Sequence, residues 1–236
     1  MEIFHTVLMV IHILAGAFCL LGGAYLIIAP GKGNARHKQL GRLFTWCMAT
    51  IVATAFIMIG FFRFNIFLLV VSIFSGYLTF SGYRVLRRKT PGSHTHLDYW
   101  VAVATMLTGI GLAGYGGWIL MINGSRGMVL AILCMVFAFF IFMTSRTDLI
   151  VFRQTEMQDR LWWKYHHMRA MIGAFIAVFT AFLVNNMGNF IPDFGFNWII
   201  WILPAAVGVP LSGYWAKLMK RELALKKTVK KSEVVN

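Results

Sequence analysis

The chain has 236 residues, of which 59% are hydrophobic and only 13% charged. Soluble domains carry about 25% charged residues, so the composition excludes a water-facing globular fold, and at about 20 residues per membrane crossing one helical membrane domain uses nearly the whole length. The net charge of +14, from 22 Lys and Arg against 8 Asp and Glu, does not point to nucleic acid, because the basic residues stand in short loops and in a tail between apolar stretches, as they do where cytoplasmic loops hold a helix bundle in place.

Seven apolar stretches follow one another, near residues 4–29, 38–62, 65–86, 98–122, 127–151, 164–187 and 197–219. Each is long enough to cross about 30 Å of hydrocarbon as a helix. Lipid cannot satisfy free backbone groups, so helices are required, and the runs are too long and too uniform for strands of a barrel. The expectation is an all-α, integral membrane seven-helix bundle, with residues 1–222 as the transmembrane domain and 223–236 as a basic cytoplasmic tail. Met1-Glu2 precedes the first stretch without a basic segment, so a cleaved signal peptide is not expected.

The loops alternate in charge. Lys32, Arg36, His37 and Lys38 follow the first stretch. Arg84, Arg87, Arg88 and Lys89 follow the third, and Arg153, Arg160 and Lys164 follow the fifth, with Glu156 and Asp159. The opposite connections carry only Arg63, Arg126 and Asp193. Positive loops stay in the cytoplasm, so an odd number of crossings puts the N-terminus outside and the tail inside. Trp162, Trp163 and Tyr165 suit an aromatic belt on the cytoplasmic side, and Trp118 and Trp198 suit the other. Gly16 with Gly23, Gly76 with Gly82, and Gly109 with Gly116 suggest close helix contacts. Cys19, Cys47 and Cys134 all fall in apolar stretches and read as small buried hydrophobes.

A polar side chain within a span is a functional candidate. His37, Asp98, Asp148 and His167 come from four stretches, and the loop pattern puts them in one cytoplasmic-side layer. Arg42, His96, His166 and Arg169 share that layer as supporting residues. His, Asp and a positive surround are ligand types for an ion such as Zn²⁺. Adjacent His166 and His167 point about 100° apart on a helix, so one of them faces a given centre, and the deeper His167 is favoured. Arg42 is expected to pair with a carboxylate from the fourth or fifth stretch. His12 lies apart, in the outer half of the first helix, where a hydroxyl or carbonyl partner across a helix contact is expected. His94 reads as a solvated loop residue.

The chain resembles an uncharacterised bacterial family of polytopic membrane proteins at three places. These are His12-x-x-x-Gly16 leading through Gly22 to Lys32-Gly33 and His37-x-x-x-Gly41-Arg42, then Asp98 with Trp100, and His167-x-x-x-Met171 running into Ile176-Ala177 and Thr180-Ala181-Phe182. The resemblance implies a bacterial membrane location and brings no reaction.

Four functions stay open. The first is a metal ion at the His/Asp/Arg cluster, making a metal-dependent membrane hydrolase if catalytic. The second is haem b between His37 and His167 for electron transfer. The third is a small transporter, and the fourth an accessory subunit of another membrane protein. Anionic lipid headgroups are the expected partner of the basic tail. A retinal protein would need a lysine deep in the last helix, and Lys217 is at its end. Pro30-Gly-Lys-Gly-Asn is too short for a phosphate loop.

Overall fold

The computed structural model describes residues 2–62, 64–90, 92–155, 161–190 and 199–235, with side chains omitted at 67, 188–190, 219 and 222–235. Arg63, Glu156, Asp159, Arg160, Asp193 and Trp198 of the loop and belt argument lie outside the described residues, as do the side chains of the tail. The described residues are helical without strands: α1 Glu2–Ile28, α2 Ala35–Phe61, α3 Ile66–Arg84, α4 His96–Asn123, a 3₁₀ turn Gly124–Gly127, α5 Met128–Arg153, α6 Trp162–Phe190 and α7 Ile199–Val235.

Short-range chemistry sets several helix ends. Gly31 and Gly33 take φ of 76° and 86°, values that glycine adopts without a Cβ penalty, and turn the chain between α1 and α2. Asn34 then caps α2, its side chain accepting from the His37 N–H at 2.8 Å. Thr95 caps α4 in a reciprocal box with Asp98, which satisfies two free donors at once.

The fold does not keep the expected seven separate spans. Five helical segments among the described residues are long and apolar enough to cross a membrane: Glu2–Ile28, Ala35–Phe61, His96–Arg153, Trp162–Met187 and Ile199–Leu218. The third of these is one continuous helical run of 58 residues. The cause is that the connection at Gly124–Gly127 is itself helical, so no irregular loop separates α4 from α5. Gly109 meets Ala138 and Ile141, while Gly116 meets Ala131 and Cys134. The two arms therefore run antiparallel, as a hairpin. α3 is not among the five. It is the shortest helix, 19 residues, or about 28 Å at 1.5 Å per residue. It buries Ser72, Ser75, Thr79 and Ser81 inside the protein. An orientation counted through seven separate crossings, N-terminus outside and tail in the cytoplasm, loses its basis with that count. The chain is a multi-pass membrane protein, and Ile3, Leu14, Leu21, Trp46, Leu107 and Met121 on its outer surface form the kind of apolar exterior that needs lipid rather than water.

α3 sits between the parts of the bundle, packing on α2, α4, α5 and α6. One core cluster joins Cys19, Phe44, Met48, Leu78, Ala174 and Val178 from α1, α2, α3 and α6. A second joins Val70 of α3 to Leu112 of α4 and Cys134, Ala138 and Ile141 of α5. A Cβ on Gly82 would lie 2.8 Å from the Ala170 Cβ, so α3 and α6 pack in van der Waals contact there. Gly23 likewise lies against Phe44 and Phe175. A Cβ on Gly16 would meet nothing within 4 Å, so the expected close contact does not form at that glycine.

Candidate functional site

One face of α3 carries Tyr77, Ser81 and Arg84, and the turn after it adds Arg88. The intervals of four, three and four residues put all four in one stripe at the helical period. This stripe meets the start of α4, the end of α5 and the start of α6, and organises two carboxylates.

The first is Asp98. Arg84 donates to it through Nε at 2.7 Å and through Nη2 at 2.8 Å. The Thr95 N–H and hydroxyl each donate to the Asp98 Oδ2 at 2.8 Å. Arg88 Nε stands 3.9 Å from Oδ1. Both oxygens are thus committed to a two-pronged guanidinium and a helix cap, a geometry that holds a carboxylate ionised and fixed. Burial pushes the Arg88 guanidinium down, and the charges of Asp148 and Asp98 push it back up.

The second is Asp148, 3% exposed. The Tyr77 hydroxyl donates to its Oδ2 at 2.7 Å, and the Ser81 hydroxyl makes a short bond to the same oxygen. His166 Nε2 lies 3.3 Å from Oδ1 and 2.8 Å from Ser81 Oγ. Ser81 has one hydrogen to give. Donated to Asp148, it leaves Oγ to accept from a protonated His166 Nε2. The same ring nitrogen faces both Ser81 and Asp148. A Ser-His-Asp nucleophile instead uses the two ring nitrogens for the two partners, so the arrangement does not have the geometry of a hydrolytic triad.

The remaining expected site residues scatter. His167 turns away from Asp148, and its Nδ1 donates to the Gly82 carbonyl at 2.7 Å. His37 is close enough to His167 for their charges to interact. His166, the shallower of the pair, is the one that faces the carboxylate. Arg42 is exposed and its Nε donates weakly to the Lys38 carbonyl at 3.4 Å. Its expected carboxylate partner is corrected to Arg84 and Arg88 for Asp98, because α2 packs on α1 and α3 and not along α4. His96 and Arg169 are exposed. His12 takes the expected role: its Nδ1 lies 2.8 Å from Thr54 Oγ1 across the α1–α2 contact. His94 is not a solvated residue. Its ring stacks on Phe152 at 4.8 Å.

Among the described residues, no three His, Cys, Asp or Glu side chains converge to hold a metal ion. The reason is visible in the partners: Asp98 is saturated by Arg84 and Thr95, and Asp148 by two hydroxyls and an imidazole. Tyr77, Ser81 and Arg88 were not separable from packing and loop charge by residue type alone. Their common face with Arg84, at intervals of four, three and four, is the signal that marks them. No protein-family model, curated protein or solved structure matches the chain.

Proposed function

We propose that this protein handles protons in the bacterial inner membrane, as a small proton-coupled carrier. The observation that supports this is the contrast between the two buried carboxylates. Asp98 is locked by Arg84, whereas Asp148 is bound by Tyr77, Ser81 and His166, groups that give and take protons without a guanidinium clamped on the carboxylate. Intramembrane carboxylate–histidine chains mark proton pathways, and histidine is the side chain suited to shuttling at neutral pH. Tyr77 is buried, whereas the His166 side chain is 17% exposed.

The test uses purified protein in proteoliposomes. A pH gradient should drive uptake from a panel of small amines, carboxylates and cationic dyes in the wild type, and Asp148→Asn should abolish it, while Arg146→Gln, at an exposed cation on α5, should not. Infrared difference spectra on acidification should show one buried carboxylic acid appear, missing in Asp148→Asn. Absence of both the carboxyl band and gradient-driven uptake would end the proposal.

A second reading has its own support. His167 gives its Nδ1 hydrogen to a backbone carbonyl, the arrangement that orients ligating histidines, which leaves Nε2 free with His37 near by. Two axial imidazoles suffice for haem b. A Soret band in protein purified from its own host, lost in both His37→Ala and His167→Ala, would favour electron transfer over the carrier.

A further inference from the structure

Phe152, near the end of α5, is covered by two cationic or polar groups. The Arg88 guanidinium lies 4.9 Å from its centroid and His94 stacks on it at 4.8 Å. Both bring a buried polar atom without a hydrogen-bond partner among the described residues, Arg88 Nε, which stands 3.9 Å from Asp98 Oδ1, and His94 Nδ1. Buried donors left unpaired are rare and costly, and each calls for an explanation. Both residues line one pocket, together with Thr90, Ser93, Phe152 and Trp162. Arg88 itself is 4% exposed, so the charge is built into the fold rather than waving from the surface.

The surroundings of the pocket say what would fill it. Its volume of about 10 Å³ admits roughly one water-sized atom, so an incoming group presents a single oxygen and keeps its remainder outside. Trp162, a pocket wall, donates from Nε1 to the Lys89 carbonyl at 3.3 Å. Lys89 and Lys164 both rest on the Trp163 ring, at 4.6 and 5.5 Å. Two ammonium groups held on one indole repel each other unless an anion lies between, and neither has a carboxylate partner among the described residues. The Asp98 oxygens nearest Arg88 are already taken by Arg84. The pocket is walled by Trp162 beside Trp163 and the basic Lys89 and Lys164, residue types that multi-pass proteins place at the headgroup level.

We propose that this pocket seats one phosphate oxygen of an anionic phospholipid, with Arg88 Nε and His94 Nδ1 as the buried donors and the Lys89 and Lys164 ammoniums against the rest of the headgroup. The site is fixed by the fold and is distinct from diffuse attraction of lipid to the tail.

The experiment measures binding of phosphatidylglycerol and of phosphatidylcholine to the full chain by native mass spectrometry, with thermal unfolding in the same mixed micelles. Phosphatidylglycerol should bind tighter and raise the melting temperature. Lys89→Gln and Lys164→Gln should each weaken it about fivefold, the value of one lysine near an anionic surface. His94→Phe keeps the stack on Phe152 while removing the donor and should weaken binding comparably. Arg126→Gln, an exposed cation in the Gly124–Gly127 turn, should leave it unchanged. Arg88→Gln is the harsher variant because Arg88 Nη2 also bonds the Ser81 carbonyl at 3.2 Å, so the proposal is judged on the His94 and lysine variants. Equal binding of the two lipids, an unchanged affinity in His94→Phe, or density showing a water molecule only would overturn it. Inorganic phosphate reproducing the whole shift in lipid-free detergent would overturn the lipid assignment.

Discussion

Removing Asp98 or Arg84 should cost unequal amounts, and the two losses should not add. The Asp98 side chain is fully buried and that of Arg84 is 21% exposed. Breaking a buried ion pair costs about 3–5 kcal/mol because the surviving charge is stranded. Asp98→Leu strands Arg84 beside Arg88 and removes the Asp98 half of the capping box, leaving the Thr95 N–H without its acceptor, so its expected cost is about 5 kcal/mol, the upper end of that range. Arg84→Leu should cost less, about 2–3 kcal/mol, since Thr95 still donates twice to Asp98 and Arg88 Nε is only 3.9 Å away. The double variant leaves Arg88 with only the more distant Asp148 charge and should cost about 5 kcal/mol, giving a coupling of about 2–3 kcal/mol, within the range for contacting residues. Reversible unfolding by SDS in mixed micelles measures all four proteins. Additive losses, with coupling under about 0.5 kcal/mol, would refute the reading of Asp98 as the clamp between α3 and α4.

Two further outcomes test the packing and the membrane reading. Gly109→Val should destabilise by about 1–3 kcal/mol through overpacking, because a Cβ there already meets Ile141 at 3.1 Å and the Ala138 carbonyl at 3.2 Å, whereas Gly111→Ala, with nothing within 4 Å, should be tolerated in the same SDS assay. Trp46, 73% exposed on α2, should be quenched by brominated lipid acyl chains together with the exposed Trp100 and Trp118, so Trp46→Phe should lower the bromolipid-sensitive part of the emission; a bromolipid effect unchanged in Trp46→Phe would contradict an apolar exterior of α2 facing lipid.

Helical character and the membrane environment could both be read from residue order, because each is a property of a segment by itself. Twenty apolar residues in lipid must be helical wherever their neighbours are, and Gly109 and Gly116 mark a contact face on their own helix. Asp98 and Asp148 stand out as carboxylates in apolar runs. The number of separate spans was not legible in the same way: Gly124-Ser-Arg-Gly127 has the composition of a loop, yet it closes as a 3₁₀ turn once α4 and α5 pack along each other. Partner choice was decided by tertiary packing alone. A helix repeats every 100°, but its rotation about its own axis is set by its neighbours. The close seating of Gly82 on Ala170 turns α6 so that His166 meets Ser81 and Asp148, while His167 meets the Gly82 carbonyl. The same packing brings the four-three-four stripe of α3 to both carboxylates and leaves Arg42 outside, an assignment no single segment contains because it depends on two helices at once.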